Sequence, residues 1–230
     1  MKSKILILFL IVFIACGNED KKQEPRKFTI IDKQEEGEIL KVIYDSNDNY
    51  TSHPVFYLGT IKDTIKLNDS LMLEDGENKP QKIYSGQFEP VILVDTSINL
   101  CYVSMGVKFD QDAAGNEKKG KPYKHLYSSY PIIITNLSSD TMRIGNLQAV
   151  HFIQEVKLAN NNWKAINKPF VSMCGFGFVA AYLAPKNMAV CKLMRYKGDT
   201  LAEMRLRYVL NNKFVFSNTF RDSISKEVFR

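Results

Sequence analysis

Met204-Arg205-Leu206-Arg207-Tyr208-Val209-Leu210-Asn211-Asn212-Lys213-Phe214-Val215-Phe216 alternates apolar and polar side chains on a period of two. Met204, Leu206, Tyr208 and Leu210 share one face, and Arg205, Arg207 and Val209 share the other. That is the pattern of an antiparallel strand with one wet face. Asn211-Asn212 can take the positive φ angles of a two-residue turn, and Phe214 and Phe216 are expected to return on the apolar face.

The same grammar runs upstream. Residues 152–158 and 163–166 flank Ala159-Asn160-Asn161-Asn162 as a second hairpin. Residues 131–137 are an apolar strand closed by Ser138-Ser139-Asp140. Residues 55–58 and 64–67 resemble a further hairpin around Gly59 to Asp63. Residues 110–124, with Gly115, Gly120 and Pro122, form a long polar loop, a length that in compact domains goes with function or mobility. Helical periodicity is scarce. Strands at regular spacing with frequent turn signals imply a mainly β chain: an antiparallel β-sandwich over residues 86–230, with a smaller β-rich N-terminal region over 28–85.

From Tyr130 onward the chain resembles the immunoglobulin-like modules of bacterial surface proteins. The resemblance rests on Ile134-Thr135-Asn136 before a turn, Leu183-Ala184-Pro185-Lys186-Asn187, Gly198-Asp199, and Ser217-Asn218-Thr219-Phe220. No Cys-Trp-Cys spacing of an antibody-type domain is present. The chain also resembles uncharacterised small bacterial lipoproteins, a resemblance that implies no particular activity.

The start of the chain points to export. Lys2 and Lys4 precede eleven apolar residues, Ile5 to Ala15, about 16 Å of helix where a membrane span needs roughly 20 residues. This fits a signal-peptide core. Phe13-Ile14-Ala15-Cys16 resembles a lipobox, which implies cleavage after residue 15 and a lipid on Cys16; Phe13 departs from the more usual leucine. Residues 16–27 lack apolar side chains to bury beyond Cys16 and read as a flexible stalk. Glu19, Asp20, Lys21 and Lys22 look like the surface-export signals of some Gram-negative lipoproteins. The expected address is the bacterial outer membrane, lipid-anchored, on the periplasmic or cell-surface side.

Loss of Lys2 and Lys4 with the signal peptide lowers the formal charge from +6 to +4. The basic residues are dispersed among acids, so no nucleic-acid stripe is formed. Three cysteines remain. Cys174 and Cys191 are the expected pair if a disulfide forms, closing about 18 residues for ~3 kcal/mol; the alternative is three buried reduced thiols.

Motifs for chemistry are missing. His53, His125 and His151 are far apart, and no cysteine has a histidine near it, so neither a metal nor any other cofactor is expected. Asp110-x-Asp112 and Asp45-x-Asn47-x-Asn49 start like calcium loops but end at Lys121 and Phe56. No Gly-x-Ser-x-Gly elbow occurs. Asp followed by Ser or Thr and an apolar residue recurs at Asp63, Asp69, Asp140, Asp199 and Asp222; it looks like an O-glycosylation motif, and equally like an Asp-capped turn entering a strand.

The leading expectation is a non-enzymatic envelope binding module, partnered by the membrane through its lipid and by another protein or envelope component. Its contact residues are expected around the long loop and a Gly-Phe-Gly bend: Tyr123, His125, Tyr127, Tyr130, Phe176 and Phe178. The alternatives are an inhibitor or immunity-type lipoprotein, and a hydrolase whose carboxylates meet only in the fold.

Overall fold

Ile132, Ile133 and Ile134 are all buried, although neighbouring strand residues point to opposite faces. A run of that kind needs a strand covered on both sides. A computed structural model, describing residues 27–45, 50–68, 90–108, 120–146, 149–169, 180–210 and 213–230, shows how both sides are covered.

The described strands are β1 (Thr29–Ile31), β2 (Ile39–Leu40), β3 (Tyr50–Thr51), β4 (His53–Thr60), β5 (Thr64–Lys66), β6 (Val91–Val94), β7 (Leu100–Lys108), β8 (Lys121–Thr135) and β9 (Met142–Asn146). They continue as β10 (Ala149–Val150), β11 (Ile153–Lys157), β12 (Trp163–Ala165), β13 (Lys168–Pro169), β14 (Ala180–Leu183), β15 (Asn187–Met194), β16 (Thr200–Leu210), β17 (Lys213–Phe216) and β18 (Phe220–Ile224). A short 3-10 turn, Lys226–Phe229, follows. Among the described residues there is no α-helix, and so none long and apolar enough to cross a membrane.

A nine-stranded sheet has the path β14-β9-β10-β4-β15-β8-β2, with β6 and β7 also paired to β8. β8 organises it: β15 and β2 lie along one edge, β6 and β7 in succession along the other. A five-stranded antiparallel sheet runs β12-β11-β16-β17, with β18 beside β16. The two sheets form the sandwich. Ile132, Ile134, Cys191 and Leu193 from the large sheet meet Met204, Leu206 and Tyr208 from the small one, with Phe152 from the link between β10 and β11, in one core. Ile133 turns the other way into a second core with Phe56, Met188 and Val190, closed by Ile65 and Leu67 and flanked by Phe28 and Ile30.

The described strands of the N-terminal region do not form a unit of their own. β4 lies inside the large sheet between β10 and β15, while β1 and β5 pair in parallel over the second core. The expected hairpin of residues 55–58 with 64–67 does not form: β5 pairs with β1 instead. Burial decides this, because Ile65 and Leu67 become buried only by lying across the apolar face that contains Phe56.

Polar joints close the sandwich. Asn136 is buried; its amide donates to the carbonyls of Asp140 and Leu183, and its Oδ1 accepts from Ser138 N and Oγ. Asn218 Oδ1 accepts from Val94 N while its amide donates to Val94 O, as a strand neighbour would. Arg195 bridges the sheets through a two-pronged pair with Asp222, at 3.0 and 2.6 Å. Asn136→Ala strands the Leu183 carbonyl inside the protein, and an expected loss of about 3 kcal/mol should appear as a lower urea midpoint with unchanged slope.

The hairpin that reveals the fold class departs from expectation in one respect. The strands pair Leu210 with Lys213, Val209 with Phe214 and Arg207 with Phe216. Pairing partners share a face, so both phenylalanines stand on the arginine side. They are exposed, 58% for Phe214 and 41% for Phe216, and Val215 turns toward the core instead.

Candidate functional site

β8 is fifteen residues long, exposed from Lys121 to His125 and mostly buried from Leu126 onward. Its first half pairs with β7 as a two-stranded arm: Gly106 faces Tyr123, Ser104 faces His125, and Tyr102 faces Tyr127. β2 supports the arm's base at Leu126 and Tyr127. Residues 121–124, expected within a loop, belong to this strand. Lys121, Pro122, Tyr123 and Lys124 are all exposed, because the arm leaves the core before it reaches them.

Period two puts Tyr123, His125 and Tyr127 in a row. The Tyr123 and His125 rings have centroids 5.0 Å apart, and those of His125 and Tyr127 lie 6.3 Å apart. Tyr102, beside Tyr127, meets Phe56 edge-on at 6.1 Å, so an aromatic track runs from the arm into the second core. Gly106 makes room for the outermost ring. A Cβ there would lie 2.6 Å from the Tyr123 hydroxyl oxygen. Gly106→Ala should therefore swing Tyr123 off the row while costing under about 1 kcal/mol, since a flexible exposed ring can move. Near-ultraviolet circular dichroism would change where the thermal midpoint hardly does.

Tyr130 does not join this row. It is buried in the main core, with the Arg195 guanidinium 4.5 Å from its ring centroid; burial raises its phenol pKa above the ordinary value. Phe176 and Phe178 lie outside the described residues, as do Cys16, Cys174, residues 16–26 of the expected stalk and residues 110–119 of the expected loop. Cys101 and Cys191 are free thiols. Cys191 is fully buried, and desolvation pushes its thiol far up.

A cleft of about 300 Å³ beside the arm includes Asp32, Glu35, Cys101, Lys124 and Lys192 in its lining. Two carboxylates share it, each held by a lysine. Lys192 Nζ donates to both Asp32 oxygens at 2.9 and 2.8 Å, and Lys124 Nζ donates to Glu35 at 2.6 Å. The lysine hydrogen bond holds the Glu35 carboxyl below its ordinary range. The Cys101 thiol is raised, chiefly by burial, which is opposite to activation. Among the described residues no three of His, Cys, Asp and Glu converge as metal ligands.

Of the Asp-Ser/Thr sites, Thr64 and Thr200 open strands, and Asp140-Thr141 directly precedes β9. Asp222 differs: it is buried inside β18 and engaged by Arg195. The arm's aromatic row was legible as residues but not as a row, since its spacing appears only once the strand is known to continue through it. No protein-family model matches the chain, and neither a curated protein nor a solved structure is found to resemble it.

Proposed function

We propose that this chain is a membrane-anchored envelope lipoprotein acting as a non-enzymatic binding module, with the β7–β8 arm as its contact surface. The observation that carries the reading is the row Tyr123, His125, Tyr127, displayed on a paired strand outside the core. Tyrosine supplies large contact area and is enriched where interfaces hold their binding energy. The strand pairing fixes the backbone that carries the rings, so only side-chain freedom is lost on contact. The anchor rests on the lipobox resemblance at Ala15-Cys16, and the immunoglobulin-like kinship is part of the same proposal.

Two experiments test it. Labelled palmitate should enter the wild type and not Cys16→Ala, and protease added to intact cells would separate the two membrane faces. A photo-crosslinking amino acid at position 123 should give an adduct in intact cells that the same group at exposed Lys186 does not. Identical adduct patterns at 123 and 186 would remove the arm from the proposal. Absence of label from both proteins would remove the anchor.

A further inference from the structure

The outward face of the five-stranded sheet holds a second arrangement, separate from the arm. Glu155 on β11 is buried, and its carboxylate serves two arginines of β16. Arg205 Nε donates to Oε2 at 2.8 Å, and Arg207 Nε lies 2.8 Å from Oε1. Arg205 also lies against two rings, its guanidinium carbon 4.1 Å from the Trp163 centroid and 3.9 Å from that of Phe216. Arg207 is 5.0 Å from the Phe214 centroid. One anion therefore pairs with two cations, through a hydrogen bond to Arg205 and through charge alone to Arg207, whose Nε is not aimed for a hydrogen bond, and the group keeps a net positive charge. Around it, Lys157 pairs with Glu203, and Arg221 faces Glu203 across the strands. The outward face thus carries four basic groups against two acidic ones, bordered by the exposed Phe214 and Val209.

We propose that this face docks an extended, acidic polypeptide segment of a partner protein. Alternate residues of a strand stand about 7 Å apart. That is also the spacing of side chains at i and i+2 in an extended segment, so carboxylates at alternate positions meet Arg205 and Arg207 together. Arginine is suited to this role because its planar fork binds carboxylates in pairs and stacks on rings. A second copy of the chain would set one net-positive face against another. A fluid lipid surface makes no use of two guanidinium groups held at a fixed separation.

The test is fluorescence anisotropy with the detergent-solubilised full chain and a labelled peptide of alternating Glu and Thr. The wild type should bind it, more weakly as salt rises, and should not bind the Gln-Thr counterpart. Glu155→Gln/Arg205→Met/Arg207→Met, which removes cations and buried anion together, should weaken binding at least tenfold. Phe214→Ser changes an exposed ring and leaves the ion cluster intact; it should weaken binding about threefold and keeps the test valid if the triple variant misfolds. No binding of the Glu-Thr peptide by the wild type, or equal binding by wild type and Phe214→Ser, overturns the proposal. So does arginine-dependent binding of polygalacturonate or phosphatidylglycerol vesicles without peptide binding. Self-association through this face without peptide binding also overturns it. Since none of these residues lies on the arm, a loss of the arm's crosslink leaves this outcome unaffected.

Discussion

Asp32→Ala is expected to lower the unfolding free energy by about 3–5 kcal/mol, the cost of breaking a buried ion pair from one side. Lys192 is 5% exposed, and its ammonium lies 4.5 Å from the Phe56 ring centroid. Its three N–H groups are all used, on Asp32 Oδ1, Asp32 Oδ2 and the Cys101 carbonyl at 2.9, 2.8 and 2.7 Å. Asp32 also accepts from Cys101 N at 3.3 Å. It directly follows β1, so one carboxylate fastens the N-terminal strand to β15 and β7. Without it the ammonium has no counter-charge beneath an aromatic ring. Total stabilities of single domains are about 5–15 kcal/mol, so the loss is a large share of the whole. Asp32→Leu combined with Lys192→Met should recover most of it, because an apolar pair of similar volume replaces both charges. Urea denaturation of the single and double variants measures the effect. Equal destabilisation by both would show that the pair's charge is not what matters.

The sandwich was legible because its strands are one-faced. In β16 the side chains of Met204, Leu206, Tyr208 and Leu210 are buried and those between them are not, which period two reports directly. β8 was half legible: Pro131 to Ile134 are buried on both faces and read as an apolar run, while Lys121 to Lys124 are exposed and read as a loop. Nothing in a polar strand's own residues marks it as paired; the mark is its register with β7. The misplaced phenylalanines are a different case. A register that pairs Leu210 with Lys213 matches even positions of β16 with odd positions of β17, so the arginine face of Phe214 and Phe216 follows from the number of residues between the strands. The ion pair of Asp32 with Lys192 joins residues 160 apart in sequence and leaves no local trace. The same holds for Glu155 with Arg205, 50 apart. Each is made by a pairing of strands whose partners had first to be found.

Acidification from pH 6.5 to 4 is expected to destabilise the fold by about 3 kcal/mol through His53 alone, at about 1.4 kcal/mol per unit of pKa displacement. His53 is buried at the start of β4, its Nδ1 3.2 Å from the Val150 carbonyl and its ring edge-on to Phe152 at 5.3 Å. The carbonyl fixes the neutral tautomer with the proton on Nδ1. Desolvation, the largest influence, lowers its pKa from 6.5 to about 4, against the raising effect of that hydrogen bond. The folded value lies below the unfolded one. Between the two, the unfolded chain takes up a proton that the folded chain refuses, and stability falls with pH. Above about pH 7 both states are neutral and His53 contributes no slope; below about 4 both are protonated and the slope ends. His151 is displaced in the same direction by burial and adds to the loss. His53→Leu removes the titration while keeping an apolar side chain against Phe152. Its stability at pH 7 falls by the lost hydrogen bond, but its decline between pH 6.5 and 4 should be shallower than the wild type's by about 3 kcal/mol. Urea midpoints across that interval give the comparison, and parallel pH profiles for the two proteins would show that His53 carries its proton in the folded state.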